Sequence, residues 1–201
     1  MRPKFFLSVL FMVPAFILFS GNPVSAQVAP AATEVGLPLM VGGGLADDNI
    51  DFGAGRRMEG ISIWADWDLT GHKFVPKGLA LEAEARTIRF GIPQGFSQMR
   101  EETALGGFVY SWRRYPKLRP FAKGLAGIGS IDFPPYPRYG HDTRAILVPG
   151  GGVDYRVYDR VWVRAEYEYQ IWQKMFGNDS LTPNGFTIGA SYNFRHHTTF
   201  R

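Results

Sequence analysis

The nine residues from Val161 to Tyr169 alternate between two kinds of side chain without interruption. One set holds Val161, Val163, Ala165, Tyr167 and Tyr169, and the other set holds Trp162, Arg164, Glu166 and Glu168. Successive side chains of a β-strand point to opposite faces, so this segment is predicted to be a strand with one apolar and one charged face. A soluble β-sandwich would place the apolar face in its core and the charges in water. A transmembrane barrel would place the apolar face in lipid and the charges in an enclosed lumen.

Seven further segments also have the character of strands, and glycine and proline between them mark turns. With 161–169 they give strands at 37–46, 60–68, 79–90, 102–112, 119–131, 143–155, 161–169 and 186–194. Longer connections near 47–57, 91–101, 132–143 and 173–184 alternate with shorter ones near 69–78, 113–119 and 156–160. Short turns on one side and longer loops on the other are typical of outer-membrane barrels. We therefore predict an all-β fold, an eight-stranded antiparallel up-and-down transmembrane β-barrel, whose longer loops face outward if its N-terminus is periplasmic.

The start of the chain has the features of a secretory signal peptide. Arg2 and Lys4 precede an apolar stretch at 5–19, and small residues at 24–26 form a cleavage site. We predict a signal peptide at 1–26, a flexible lead-in at 27–36, the barrel at 37–194 and a polar tail at 195–201. After residue 26 no apolar run approaches the length of a transmembrane helix, so a membrane would be crossed by strands.

Charge and cysteine content exclude other classes of protein. The formal net charge of +4 falls to +2 when Arg2 and Lys4 leave with the signal peptide, which is too near neutral to indicate nucleic-acid binding. There is no cysteine, so an exported chain must be stabilised without disulfides, and a closed hydrogen-bonded barrel provides one way.

The distribution of charge between strand faces favours the transmembrane barrel over the soluble one. The charges that alternate with apolar residues, together with one lysine in the fifth strand, form a predicted lumen charge network of Asp66, Asp68, Glu82, Glu84, Arg86, Lys123, Arg164, Glu166 and Glu168. A lipid-facing Lys or Arg at the bilayer midplane costs about 2–4 kcal/mol, whereas a lumen accepts charges that pair with one another. The facing of the strands near Lys123 and Pro149 is left open, and a bulge or bend is expected at Pro149.

Exposed aromatic residues are predicted near both ends of the strands. The predicted aromatic girdle comprises Trp67, Trp112, Tyr192 and Phe194 near the periplasmic end, and Tyr167, Tyr169 and Phe186 near the outer end. Two such bands are expected where a barrel meets the two membrane interfaces. The alternative is that these side chains fill the core of a soluble, lipocalin-like barrel.

The last strand carries a resemblance to a known family. Residues 185–194 alternate aromatic and apolar side chains and end on Phe194, and with 150–155 and 164–169 they resemble the small eight-stranded outer-membrane barrels of Gram-negative bacteria, the opacity-type surface proteins and the membrane domain of outer-membrane protein A. The resemblance implies a monomer exported to the outer membrane of a Gram-negative bacterium. It also implies that Phe186 to Phe194 are recognised by the barrel assembly machinery. One departure is that 195–201 follow the strand, whereas this signal usually ends the chain.

Few residues indicate catalysis or ligand binding. A hydrolase of membrane lipids needs a histidine, a hydroxyl and a carboxylate, and His141, next to Asp142, is the only candidate, because His72, His196 and His197 fall in a turn and in the tail. We predict no enzymatic activity, no cofactor and no metal site. Arginines near the outer strand ends are candidate contacts for lipopolysaccharide phosphates, namely Arg56, Arg57, Arg100, Arg138 and Arg144.

The predicted function is therefore that of a structural or surface-interaction scaffold whose lumen is plugged by charges, with membrane lipids and lipopolysaccharide as partners. The first alternative is a narrow pore of low conductance for ions or small solutes. The others are an outer-membrane lipid-modifying hydrolase and a soluble barrel that binds an apolar ligand.

Overall fold

The computed structural model describes residues 36–51, 57–70, 74–90, 99–132, 140–175 and 179–195. They form ten strands: β1 (Leu39–Asn49), β2 (Arg57–Asp68), β3 (Leu79–Phe90), β4 (Arg100–Ser111), β5 (Leu118–Asp132), β6 (His141–Arg156), β7 (Val161–Tyr169), β8 (Ile171–Met175), β9 (Asp179–Leu181) and β10 (Asn184–Asn193). Among these residues no helix has the length and apolar character needed to cross a membrane. The predicted signal peptide and nearly all of the predicted lead-in and polar tail lie outside the described residues.

Eight of the strands close a barrel. From β1 to β7 each strand pairs antiparallel with the next along the chain, and β10 pairs with both β7 and β1. The register at the closure places Gly43 opposite Ala190 on one side and opposite Ile63 on the other. The predicted eight-stranded antiparallel barrel is therefore confirmed.

The predicted last loop at 173–184 is only partly a loop, because β8 and β9 form a small extension there. Ile171 and Trp172 of β8 pair with Leu147 and Ile146 of β6. These strands are too short for an alternating pattern to be recognised in the sequence. Several main strands also begin earlier than predicted at this side of the barrel, β6 at His141 among them.

At Pro149, where a bulge or bend is predicted, the structure shows a change of strand partner. On the β5 side the register runs unbroken through Gly124 opposite Pro149. On the other side the ladder with β7 ends at Gly150, and β8 becomes the partner of β6 only from Leu147 onward. Proline has no N–H to donate, so its position at this break leaves no ladder hydrogen bond unmade.

The connections differ in length at the two ends of the barrel. At the end called here the short-turn end, the connections are 69–78, 112–117 and 157–160, and the last is closed by Val157 N donating to Val161 O at 3.0 Å. The opposite end, called here the long-loop end, carries the connections 50–56, 91–99 and 133–140 together with β8 and β9.

Side chains alternate between the interior and the outer surface as predicted for β7. Trp162, Arg164, Glu166 and Glu168 are buried, while Val163, Tyr167 and Tyr169 are exposed. In β5, whose facing the sequence alone leaves open, Lys123 points into the barrel and is 6% exposed. The interior of the barrel is therefore charged and filled with side chains, and its outer face is apolar.

Glycines of the closing strands make room for a large interior side chain. A Cβ atom on Gly42 would lie 2.4 Å from ring carbons of Trp64, and one on Gly189 would lie 2.6 Å from the same ring. Only residues without a side chain can approach the Trp64 ring so closely. The glycine run of β1 is thus part of interior packing.

Candidate functional site: the charged lumen

Lys123 lies at the centre of the interior charges. Its Nζ donates to Glu82 Oε1 at 3.0 Å, to Glu84 Oε2 at 2.7 Å and to Glu166 Oε2 at 3.0 Å, and it also pairs with Glu168. All five side chains are at most 1% exposed. Burying an ammonium group is costly, and here the cost is offset by carboxylates supplied by β3 and β7.

Arg164 forms the part of the network nearer the short-turn end. Its Nε donates to Asp154 Oδ1 at 2.8 Å, and its two terminal nitrogens donate to Asp66 Oδ2 at 2.6 Å and to Glu82 Oε2 at 2.8 Å. The guanidinium carbon also lies 5.0 Å from the centre of the Trp64 ring, within the range of a cation–π contact. Arg164 of β7 is therefore held by side chains from three other strands, β2, β3 and β6.

Arg86 forms the part of the network nearer the long-loop end. It donates to Asp48 Oδ2 at 3.0 Å and to Glu84 Oε1 at 2.8 Å, and it pairs with Glu168. Glu84 and Glu168 also pair with Lys123, so they link Arg86 to Lys123. In the same way, Glu82 pairs with both Lys123 and Arg164. The three cations are thus linked through shared carboxylates into one continuous cluster, called here the lumen network.

The lumen network contains more acids than bases. Three cations are matched by seven carboxylates: Asp48, Asp66, Glu82, Glu84, Asp154, Glu166 and Glu168. Several buried carboxylate oxygens have no hydrogen-bond partner within the described ranges of the chain, among them Asp48 Oδ1, Asp66 Oδ1 and Glu166 Oε1. Glu84, Glu166 and Glu168 bring oxygens within 4.8 Å of one another, a spacing suited to a metal ion, but the ammonium of Lys123 pairs with all three.

An apolar plug closes the long-loop end above the lumen network. It comprises Ala46, Ile50, Met58, Ile88, Met99, Leu105, Leu125, Ile131, Ile146, Val148, Trp172 and Leu181. Trp172 of β8 packs where Gly129 has no side chain, since a Cβ there would lie 2.3 Å from its ring. Its indole N–H donates to Gln170 Oε1 at 2.7 Å, and Gln170 in turn donates to Glu101 Oε1 at 2.9 Å. Sequence reasoning missed this plug because β8 was assigned largely to a loop.

The short-turn end contains a small vestibule beneath the lumen network. Its cavity measures about 40 Å³, which is space for a few water molecules. Asp68 lies in its wall and pairs with Arg113 at 2.9 Å and with Arg195 at 2.8 Å. Asp68 was predicted as a member of the charge network, and the structure places it at this mouth, among the arginines of the turns.

The predicted aromatic girdle residues all lie on the outer surface. Tyr167 and Phe186 are in ring contact near the long-loop end at 4.8 Å between centroids, and Tyr192 and Phe194 are in contact near the short-turn end at 5.0 Å. Trp67, Trp112 and Tyr169 are likewise exposed. Sequence reasoning did not include Tyr110 and Tyr155 in the girdle, although both are exposed near the short-turn end.

The candidate lipopolysaccharide contacts that the structure describes lie at the long-loop end, each beside an acid. Arg57 pairs with Asp47 at 2.9 Å, Arg100 with Asp132 at 2.9 Å and Arg144 with Asp142 at 3.0 Å. The Arg100 and Arg144 pairs lie close together, because Asp132 of β5 is next to Asp142 of β6 in the strand register, and the Arg57 pair lies on β1 and β2. Arg56 and Arg138 lie outside the described residues.

His141 contacts Asp132 and Thr143, and not Asp142, its neighbour in sequence. Its Nδ1 lies 2.5 Å from Asp132 Oδ1 across the strand pair, and its Nε2 lies 3.0 Å from Thr143 Oγ1. Asp142 pairs with Arg144 instead. His72, His196 and His197 lie outside the described residues. The acid was missed because Asp132 is nine residues away in sequence and is brought near only by the pairing of β5 with β6.

A closed eight-stranded antiparallel barrel with an apolar outer face, aromatic bands and a charged interior defines the class of transmembrane β-barrels. The chain belongs to the outer membrane protein beta-barrel domain family, which matches residues 15–194. The protein is therefore an outer-membrane barrel, and the alternative of a soluble barrel is wrong. No match is found among curated proteins.

Solved structures of outer-membrane barrels share this fold. Neisserial surface protein A is 16% identical with a TM-score of 0.60, and the match covers 78% of this chain and 97% of that one. The attachment invasion locus protein Ail of Yersinia pestis is 15% identical with a TM-score of 0.55, and the same shares are covered. The outer membrane protein OprG of Pseudomonas aeruginosa is 12% identical with a TM-score of 0.51, over 81% of this chain and 97% of that one.

Proposed function

We propose that the protein is a lipid-embedded scaffold whose lumen is closed by its own charges and whose long-loop end serves surface interaction. The observation that carries this proposal is the lumen network, in which Arg86, Lys123 and Arg164 are each held by three or four carboxylates. A passing ion would have to break such contacts, and removing one partner of a buried pair costs about 3–5 kcal/mol. The apolar plug adds a second barrier on the same path.

Conductance measurements in planar bilayers test the closed lumen against the alternative of a narrow pore. We expect the wild-type barrel to give no stable open level. Lys123→Met removes the central cation and leaves four carboxylates to repel one another, so we expect intermittent, cation-selective openings. Lys174→Met, which changes an exposed lysine at the long-loop end, is the matched control and leaves the lumen closed. A large and stable channel in the wild type contradicts the proposal.

Surface interaction is proposed for the long-loop end, with lipopolysaccharide as the ligand. A structure of Ail has been solved in complex with the heparin analogue sucrose octasulfate. That structure is 17% identical to this chain and has a TM-score of 0.51. On this chain the proposed contacts are Arg57, Arg100 and Arg144 together with Arg56 and Arg138. We expect the triple change of Arg57, Arg100 and Arg144 to Gln to weaken lipopolysaccharide binding and its salt dependence. Unchanged binding would remove these arginines from the proposal.

The last strand is proposed as the segment that the barrel assembly machinery recognises. The strand β10 runs from Asn184 to Asn193, and Phe194 follows it with an exposed ring. We expect Phe194→Ala to lower the amount of folded protein in the outer membrane, while Phe74→Ala, in a turn, leaves it unchanged. Equal yields of the two variants would argue against Phe194 as part of the signal.

A second candidate function, hydrolysis of a membrane lipid ester, is favoured by Asp132, His141 and Thr143. Asp132 accepts from Nδ1 and orients the ring, and Nε2 is placed to take the proton of the Thr143 hydroxyl. The Thr143 oxygen would attack the ester carbonyl and release the alcohol, which takes the proton from His141. Water would then hydrolyse the acyl-threonine and regenerate the hydroxyl.

Release of fatty acid from phospholipid or lipid A vesicles tests this second function. We expect Thr143→Ala and Asp132→Asn to abolish release, and Asp142→Asn, which changes an acid next to His141 in sequence but paired with Arg144, to preserve it. If the wild type releases no fatty acid, or if Thr143→Ala retains release, the chain is not a hydrolase of this kind.

A further inference from the structure

The two ends of the barrel differ in charge. The described cations near the short-turn end are Lys77, Arg113, Arg114, Lys117, Arg119, Arg156, Arg160 and Arg195, and the acids there are Asp68, Asp154 and Asp159. At the long-loop end five cations, Arg57, Arg89, Arg100, Arg144 and Lys174, lie among six acids, Asp47, Asp51, Glu59, Glu102, Asp132 and Asp142. Among the residues that the structure describes, the short-turn end therefore carries a large positive excess, and the long-loop end does not.

The cations of the short-turn end lie next to the exposed aromatic band. Arg113 follows Trp112, Arg156 follows Tyr155 and Arg195 follows Phe194 in the chain. Arg160 Nη1 donates to the hydroxyl of Tyr192 at 3.1 Å, which joins a basic turn directly to the band. Interfacial aromatic rings lie at the level of lipid headgroups, so side chains one step beyond them reach the phosphates.

Several of these cations are exposed and are not neutralised by the described part of the chain. Lys77, Arg114 and Lys117 are exposed and make no ion pair with any described residue. Asp68 is shared between Arg113 and Arg195, so one carboxylate serves two guanidinium groups. We name as the basic rim the residues Lys77, Arg113, Arg114, Lys117, Arg156, Arg160 and Arg195.

We propose that the basic rim binds the phosphate headgroups of anionic phospholipids in the leaflet that the short-turn end enters. Arginine binds phosphate through paired donors, and lysine does so as a point charge. Clusters of such side chains at a membrane surface attract anionic lipid. The lumen acids do not compete with lipid phosphates for the cations of the basic rim, because they are enclosed in the barrel interior, where Arg86, Lys123 and Arg164 contact them. This inference is independent of the proposed scaffold role, since a barrel with an open lumen could also carry the rim.

The tryptophans of the chain offer a direct test. Of the five, Trp64, Trp162 and Trp172 are at most 2% exposed, whereas Trp67 and Trp112 are exposed to lipid near the basic rim. Brominated lipids quench tryptophans that they contact, so quenching reports the lipids at this end. The experiment reconstitutes the protein in vesicles of phosphatidylcholine and phosphatidylglycerol, with bromine on one lipid and then on the other.

We expect phosphatidylglycerol to be preferred about fivefold at low salt, the factor that corresponds to one basic side chain near an anionic surface. Raised salt should reduce the preference. The triple variant with Gln at Lys77, Arg114 and Lys117 should lose most of it. A double variant with Gln at Arg89 and Lys174, which removes charge from the long-loop end, should keep it.

Two results would overturn the inference. Equal quenching by the two brominated lipids in the wild type would show that the rim does not select anionic phospholipid, and a soluble anionic partner would then have to be sought. An undiminished preference in the Lys77, Arg114 and Lys117 variant would show that other residues attract the lipid. A gel shift on boiling in detergent verifies that each variant is folded before quenching is compared.

Discussion

The lumen network and the basic rim both concentrate charge, and they do so in opposite ways. In the lumen each cation is enclosed by carboxylates, most of them from other strands, and the side chains are almost wholly buried. In the basic rim cations such as Arg114 and Lys117 are exposed, and few acids lie nearby. A net charge close to zero therefore conceals an acidic interior and a basic end. Charge that the chain itself pairs contributes to the fold, and charge that it leaves exposed is available to other molecules.

Removal of a cation from the lumen network should cause the largest loss of stability. Arg164→Met leaves Asp66, Glu82 and Asp154 without their shared partner in the interior. We expect a loss of about 3–5 kcal/mol in the free energy of unfolding, because uncompensated buried charge is costly. Urea unfolding in lipid vesicles measures it. The exposed Arg57–Asp47 pair provides the control, since Arg57→Gln should lower the free energy of unfolding by about 1 kcal/mol or less.

Truncating the apolar plug should have an effect of similar or slightly smaller size. Trp172→Ala removes a ring that is 0% exposed and leaves a cavity beside Gly129. We expect a loss of about 3–5 kcal/mol, partly relieved if water enters the space. Thermal unfolding of the vesicle-bound protein checks the loss. A variant as stable as the wild type would mean that β8 is not part of the interior packing.

Two neighbouring glycines of β1 face opposite sides of the barrel wall, Gly42 the interior and Gly43 the lipid. Gly42→Ala places a methyl group 2.4 Å from the Trp64 ring, whereas Gly43→Ala meets its nearest atom, on Ile63, at 3.5 Å. We expect the first change to cost about 1–3 kcal/mol through overpacking and the second to be nearly neutral. Paired urea titrations compare the two variants, and equal stabilities would contradict the packing described for Trp64.

The smallest effect on stability is expected at the basic rim. Changing Lys77, Arg114 and Lys117 to Gln removes no ion pair formed with a described residue. In neutral detergent the free energy of unfolding should shift by no more than about 0.5 kcal/mol for each substitution, as for most surface changes. A loss comparable to that of Arg164→Met would mean that the rim is structural and would erase the contrast between the two regions.

The strands and their facing could be predicted because the alternation of side chains is a local property of the sequence. Glu82, Glu84, Arg86, Arg164, Glu166 and Glu168 were assigned to the lumen in this way, and the structure places them together there. Asp48 was not assigned because it falls in the predicted loop at 47–57, and Asp154 was not assigned because the glycine run of β6 hides the alternation. Their roles depend on partners thirty-eight and ten residues away in the chain.

Features that depend on pairing between strands could not be predicted from local pattern. The partner of His141 is Asp132, which only the register of β5 and β6 reveals. The strand β8 is five residues long, and two of them, Ile171 and Trp172, pair with β6. The basic rim could have been found in the sequence, since all of its residues except Arg156 and Arg195 lie in the three short turns. The net charge of the whole chain does not reveal it, because the acids of the lumen offset the cations of the rim.

The sharing of carboxylates in the lumen network has a consequence for how the barrel forms. Arg164 meets Asp66 across ninety-eight residues of chain, and Arg86 meets Glu168 across eighty-two. None of these contacts can form until early and late strands face each other around a common axis. A partly assembled sheet would expose the same groups to lipid, where each unpaired charge is unfavourable. Intermediates that enter the bilayer are thereby disfavoured, and insertion and closure of the sheet should occur together as one cooperative step.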